Sequence, residues 1–293
     1  MLAARSHRVR MMRDAPSLTR AATGFDQAQL PIYRYLALVQ VAAAGFFGIY
    51  PFLFPDSFAS VFGYEGAEPF VYRLLGAAST GYAAAAILAF RRPIWAEHRI
   101  PIVASLTFNA AAVLATLLAL LIDGEPRFLV FFILVAASVF SLITAYWLVR
   151  DEGPAAPDSP RVTAPVRVLL AVATLAALAF GVLPLLIPNL VASATGFAVA
   201  DLFIYRLAGA ATLGYATAGV LEVRARAASE IRLQVRAALV FNVLSAIAAV
   251  IYLIGGGQSP IGWVILVAAT GFSVAAGWWL AATPESATNA AGA

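Results

Sequence analysis

The sequence contains no cysteine. Disulfides, thiolate metal sites and cysteine nucleophiles are therefore excluded. Histidine occurs only at His7 and His98, both outside the apolar runs, so a haem held by two buried histidines and a histidine-rich metal site lack their ligands. Lysine is absent as well, and all 19 basic residues are Arg. Charged residues of both signs make up 12% of the chain, against about 25% in an ordinary soluble domain. Apolar residues fill the gap, at 62% of 293 residues and a mean hydropathy of +0.87. Polar side chains this scarce cannot cover two soluble domains, so the solvent for most of the chain is lipid. The net charge of +4 then reads as membrane orientation, and no nucleic-acid partner is expected.

A hydrocarbon core about 30 Å thick needs about 20 apolar helical residues to cross it. Eight runs qualify, at 36–54, 69–90, 100–122, 128–149, 168–187, 202–221, 237–254 and 261–282. They lack the alternation of barrel strands, and lipid leaves no other open backbone structure satisfied. The arginines fall asymmetrically. Sixteen of the 19 lie in the N-terminal segment, the loops after spans two and six, and the linker after span four. The positive-inside rule places both termini in the cytoplasm of a multi-pass membrane protein, with the bacterial inner membrane as the expected location. Residues 1–33 hold no run long enough for a signal-peptide core, so span one is expected to serve as the targeting signal. This stretch reads as a disordered basic arm lying on anionic lipid, with an organelle transit peptide as the alternative. The proline-rich stretch 151–165 reads as an exposed cytoplasmic linker, and 283–293 as a disordered tail.

The most specific signal is internal similarity. FVYRLLGAASTGYA at 70–83 matches FIYRLAGAATLGYA at 203–216 in ten of fourteen positions, an offset of 133. The register continues upstream, where 51–63 overlays 184–196, and downstream, where Phe108 and Asn109 overlay Phe241 and Asn242. Four spans per copy is an even number, so both copies enter the membrane in the same sense. The expected fold is all-α: eight transmembrane helices as two parallel four-helix repeats, 34–150 and 166–282, forming two bundles side by side. The links Pro51…Pro55 and Pro184…Pro188 each predict a short interfacial helix after spans one and five. Asp56 or Asn189 is expected near its cap, Gly63 or Gly196 at its end, and Phe58 and Phe62 as an aromatic anchor.

An acidic link followed by R-x-x-G-x-x-x-x-G, here Arg73, Gly76 and Gly81 and again Arg206, Gly209 and Gly214, resembles small bacterial DoxX-like four-span membrane proteins. The resemblance covers each copy loosely and implies a four-helix bundle, without implying an activity.

Few polar residues fall at costly depths. Arg73 and Arg206 lie about four residues into spans two and six, on stripes of small residues that should face protein. Glu68 and Asp201, each five residues upstream, are the expected charge partners. Alternatively, the two Arg face a shared vestibule as an anion or ligand site. Asn109 and Asn242 sit near mid-span as interhelical glue or as the lining of a solute path. Glu97–Arg99 and Glu230–Arg232 read as cytoplasmic loop residues, and Arg224, Arg226, Arg232 and Arg236 as a lipid-facing basic cluster. The four tyrosines Tyr72, Tyr82, Tyr205 and Tyr215 read as interfacial or packing residues. There is no Walker A sequence, Rossmann fingerprint, Ser/His/Asp set or metal-ligand cluster, so no catalytic residue, metal or cofactor is expected. The expected function is a non-enzymatic integral membrane protein with an accessory, lipid-binding or partner-binding role, self-association included. Two alternatives stay open. One is a transporter or channel for a small solute, anions included, along the seam between repeats; the other is a membrane enzyme acting on lipid.

Overall fold

A computed structural model of the chain describes residues 30–64, 68–91, 95–150 and 159–283. Most of the expected N-terminal arm, most of the proline-rich linker and nearly all of the tail lie outside these residues, and the last residues of the arm, 30–33, are helical. The described chain is all-helical. Its helices are α1 Leu30–Leu53, α2 Pro55–Val61, α3 Pro69–Arg91, α4 Trp95–Leu118, α5 Phe128–Arg150, α6 Ala164–Leu186, α7 Pro188–Thr195, α8 Leu202–Arg224, α9 Ala228–Ile254 and α10 Pro260–Ala282. A π turn, Ala119–Asp123, continues α4 and ends at Gly124 in the left-handed region.

Seven of these helices are long and apolar enough to cross a membrane. The exception among the eight expected spans is α8, whose 23 residues include Arg206, Glu222 and Arg224. It is also among the most enclosed helices, with fourteen buried residues. A helix wrapped by other helices needs no apolar outer face, which is why its composition falls short. At the other extreme, α5 and α10 expose Phe131, Val135 and Leu142, or Val267, Val274 and Trp278. Such exposed faces are stable against hydrocarbon and unfavourable against water.

The glycine stripes do the work expected of them, and each serves two neighbours. A Cβ on Gly76 would lie 2.8 Å from the Phe52 nitrogen on α1, and one on Gly209 2.6 Å from the Leu185 nitrogen on α6. One helical turn further, a Cβ on Gly81 would meet the Tyr215 hydroxyl and the Ala237 carbonyl, and one on Gly214 the Tyr82 hydroxyl and the Ala104 carbonyl. Tyr82 donates to the Ala211 carbonyl (2.9 Å) and Tyr215 to the Ala78 carbonyl (3.0 Å), with their rings 4.8 Å apart. Each ring also stacks on a phenylalanine, Tyr82 on Phe108 and Tyr215 on Phe241. Every contact in this set has a counterpart 133 residues away.

The helices are exchanged between the halves. The pairs α1–α3 and α6–α8 pack within a half, as do the hairpins α4–α5 and α9–α10. Yet α3 packs broadly on α9 and barely on α4, while α8 packs broadly on α4 and barely on α9. The groupings are therefore α1, α3, α9 and α10 on one side and α4, α5, α6 and α8 on the other, instead of one bundle per half. The segment before α6 is tied to the α8–α9 turn. The Val162 amide donates to the Arg226 carbonyl, the Ala228 amide to the Pro160 carbonyl, and Arg167 to the Ala225 carbonyl.

Two local expectations change. The short helices form, and Gly63 and Gly196 end them in the left-handed region, but Asp56 and Asn189 sit inside the first turn after N-caps Phe54 and Ile187. Phe58 is buried among Phe47, Tyr50, Phe62 and Tyr72, so it anchors the helix to protein.

A methyl group distinguishes these glycines from the open ones. Gly214→Ala should destabilise the protein by about 1–3 kcal/mol through overpacking. Gly271→Ala, with nothing within 4 Å of the added carbon, should stabilise α10 by up to about 1 kcal/mol. Thermal unfolding of both variants in detergent checks the contrast.

Candidate functional site

Two places in the apolar fold combine buried charge with a distinctive geometry. The first is the end of the molecule where α4 runs out. Arg206 enters from the first turns of α8 and holds Asp123 with two parallel hydrogen bonds, Nε to Oδ2 at 2.8 Å and Nη2 to Oδ1 at 2.9 Å. Its Nη1 donates to the Leu185 carbonyl at 2.6 Å. That carbonyl belongs to the last turn of α6, where intrahelical donors have run out, so the guanidinium caps the helix C-terminus. Both side chains are about 95% buried, at 4% and 5% exposure. Removing one partner would leave an uncompensated buried charge.

Asp201 does not pair with Arg206, as its sequence position suggests. Its backbone is left-handed (φ 56°), and its side chain makes no hydrogen bond to the start of α8. It accepts instead from the Tyr72 hydroxyl at 3.3 Å and pairs with Arg127 at 3.4 Å. The Arg127 guanidinium lies 4.3 Å above the Tyr64 ring, a cation–π contact. Glu125 completes the group. Burial pushes its carboxyl above the ordinary value, Arg127 lowers it, and the Asp123 and Asp201 charges raise it again. In the other half the matching positions are Gly256, Gln258 and Pro260 in place of Asp123, Glu125 and Arg127. Arg73 therefore has no counterpart of the bidentate acid. It sits near Glu68, whose carboxyl is raised by burial and lowered by the Phe70 amide and by Arg73. The duplicated arginines therefore occupy unequal environments.

The second place is a cavity of about 500 Å³ between α6 and α8 on one side and α9 and α10 on the other. It exists because the exchange of helices separates α8 from α9 and leaves α6 and α10 standing apart. On α8 its lining runs from Tyr205 through Thr212 and Tyr215 to Glu222. At 1.5 Å per residue that is about 25 Å, most of a hydrocarbon core. On α9 it runs from Gln234 through Ala238 and Asn242 to Ser245, and α10 adds Ile265 and Ala268. The lip residues Phe180 and Leu183 are partly exposed, so the crevice opens on the flank where lipid would lie.

Its few polar groups are unevenly placed. Asn242 donates to the Ala238 carbonyl of its own helix (2.8 Å), and Asn109 likewise to the Ser105 carbonyl (2.7 Å). Both amides bond within their own helix, and Asn109 also donates to Ser105 Oγ (3.3 Å), which accepts from Gln40 of α1 (3.1 Å). Asn242 lines the crevice; Asn109, Arg73 and Arg206 do not. Glu222 and Ser245 are buried with Glu222 Oε1 and Ser245 Oγ lacking a hydrogen-bond partner among the described residues.

The arginine-rich end also departs from expectation. Glu97–Arg99 and Glu230–Arg232 lie within α4 and α9, not in loops. His98 is fully buried in α4. Arg224 and Arg226 are exposed and Arg236 is half-buried, but Arg232 is buried beneath the edge of the fold, 6.0 Å from the Trp279 ring centre. It therefore cannot belong to a lipid-facing cluster. Among the described residues no group of three His, Asp or Glu side chains is placed to hold a metal ion.

Sequence reasoning missed Asp123, Arg127 as an ion-pair member, and Glu222. Each departs from the repeat, opposite Gly256, Pro260 and Ala89 in the other half, and that asymmetry was the available signal. No family model, curated protein or solved structure matches the chain.

Arg206→Gln or Asp123→Asn should each cost about 3–5 kcal/mol of stability. Arg127→Gln, whose side chain is 36% exposed, should cost less than half as much. Chemical or thermal unfolding of the three variants checks this order. Glu125 gives a pH test. A carboxyl raised in the folded state contributes stability below its ordinary value of 4.5, and that contribution fades as pH rises through the folded value. Glu125→Gln should therefore flatten the decline in melting temperature above about pH 4.5.

Proposed function

We propose that the chain is a non-enzymatic integral membrane protein that binds a lipid chain in the α6/α8–α9/α10 crevice. In this reading it has eight membrane-crossing helices, built as two parallel DoxX-like four-helix repeats with exchanged partners. The α2 and α7 helices lie at the membrane surface, and both termini face the cytoplasm of a bacterial inner membrane. The observation that carries the reading is the crevice itself. It is nearly as long as a hydrocarbon core, lined almost wholly by apolar side chains, and open on a lipid-facing flank. A hydrated solute would lose its water there with little in return, and the two duplicated arginines that a solute path would use lie elsewhere. In the charged cluster Arg206 and Arg127 are both held in ion pairs, with Asp123 and Asp201, so these pairs serve to lock helix ends together.

Two measurements test this. Native mass spectrometry of the detergent-purified chain should show a retained lipid, and Ala268→Phe, which fills the crevice, should lose it. Equal lipid retention by both proteins would overturn the assignment. The absence of cysteine makes topology directly accessible, since single cysteines need no background removal. Cysteines at Ala198 and Arg226 should label from opposite faces of the membrane if α8 crosses it. Labelling from one face would reduce the eight crossings.

A further inference from the structure

The crevice has a chemically distinct end. Glu222 is 6% exposed, and its Oε1 has no hydrogen-bond partner among the described residues. Gln234, 2% exposed, lines the same end. Neither residue belongs to the repeated pattern, since the matching positions are Ala89 and Pro101. A carboxyl oxygen buried in an apolar cavity without a hydrogen bond is costly and needs a donor to satisfy it. The rest of the crevice supplies what an apolar chain needs, with Ser245 Oγ as a second unsatisfied oxygen toward the far end.

We infer that the crevice selects a single-chain amphiphile whose head group donates hydrogen bonds, a long-chain alcohol or amine, with the head on Glu222 and the chain running along α8 toward Tyr205. This rests on the lipid-chain reading above and specifies the head group. An ester-headed lipid offers Glu222 no donor and leaves its oxygen unsatisfied. An ordinary phospholipid is disfavoured for a further reason, because its anionic phosphate would be brought beside a carboxyl.

The test uses the full chain in detergent micelles and three probes sharing one chain: oleyl alcohol, oleylamine and methyl oleate. Wild-type protein should retain the alcohol and the amine at least about tenfold more tightly than the ester, the ratio expected from one hydrogen bond to a buried carboxyl. Glu222→Leu should bind all three alike, and Ala268→Phe should bind none. The wild-type comparison needs no variant, so the inference stays testable if Glu222→Leu does not fold. If the ester binds wild type as well as the alcohol and Ala268→Phe abolishes all binding, head-group selection is wrong while the chain site stands. If wild type binds none of the three, both readings fall.

Discussion

A tyrosine hydroxyl reaches a carbonyl inside a neighbouring helix only where no Cβ stands between them. Gly81 and Gly214 provide that clearance, and the reciprocal bonds of Tyr82 and Tyr215 cross between α3 and α8 because of it. In lipid there is little hydrophobic force between helices, so close contact and buried hydrogen bonds have to hold them. The central four helices are organised around this contact: α3 and α8 carry the tyrosines, and α4 and α9 carry the phenylalanines stacked on them. Gly76 and Gly209 extend the same stripe onto α1 and α6. Adding side-chain bulk at this centre would push apart the helices that share it.

The crevice follows from that arrangement. Because α3 is committed to α9 and α8 to α4, sequence neighbours α8 and α9 diverge from their shared turn. The space between them is closed at the turn, where the segment before α6 is tied by Val162 and Arg167. Glu222 lies near that closed end. Its isolation reflects position as much as composition, since Arg224 and Arg226, only two and four residues on, are exposed.

Features governed by local chemistry were legible in the sequence. The C-terminal limits of the long helices came within a few residues of the observed ones, because apolar length and flanking Arg, Pro and Gly are local signals. By contrast, α1, α4 and α9 begin at Leu30, Trp95 and Ala228, well before the expected 36, 100 and 237, because their first turns carry polar and charged residues. The stripes of small residues were correctly assigned to protein contact, since 3.6-residue periodicity fixes which side chains share a face. Partner choice was not legible. Arg206 has an acid five residues upstream, yet it takes Asp123, 83 residues away, because Asp201 is turned by its left-handed backbone toward Tyr72 and Arg127. Likewise, a repeat in sequence suggests that each copy packs on itself. Whether α3 meets α4 or α9 depends on two nearly identical surfaces competing for it, and periodicity cannot rank them. The crevice and Glu222 share this difficulty, since both arise from helices that separate.

The exchange of helices also bears on the order in which the chain can be assembled. When α3 and α4 first enter the membrane, the surfaces that will cover Gly81 and Phe108 have not yet been synthesised. The early half must remain open through the making of the linker and α6, and α9 and α10 arrive last to close on helices inserted long before. Synthesis and insertion thus proceed along the chain, while the packing that defines the fold is settled only at its end.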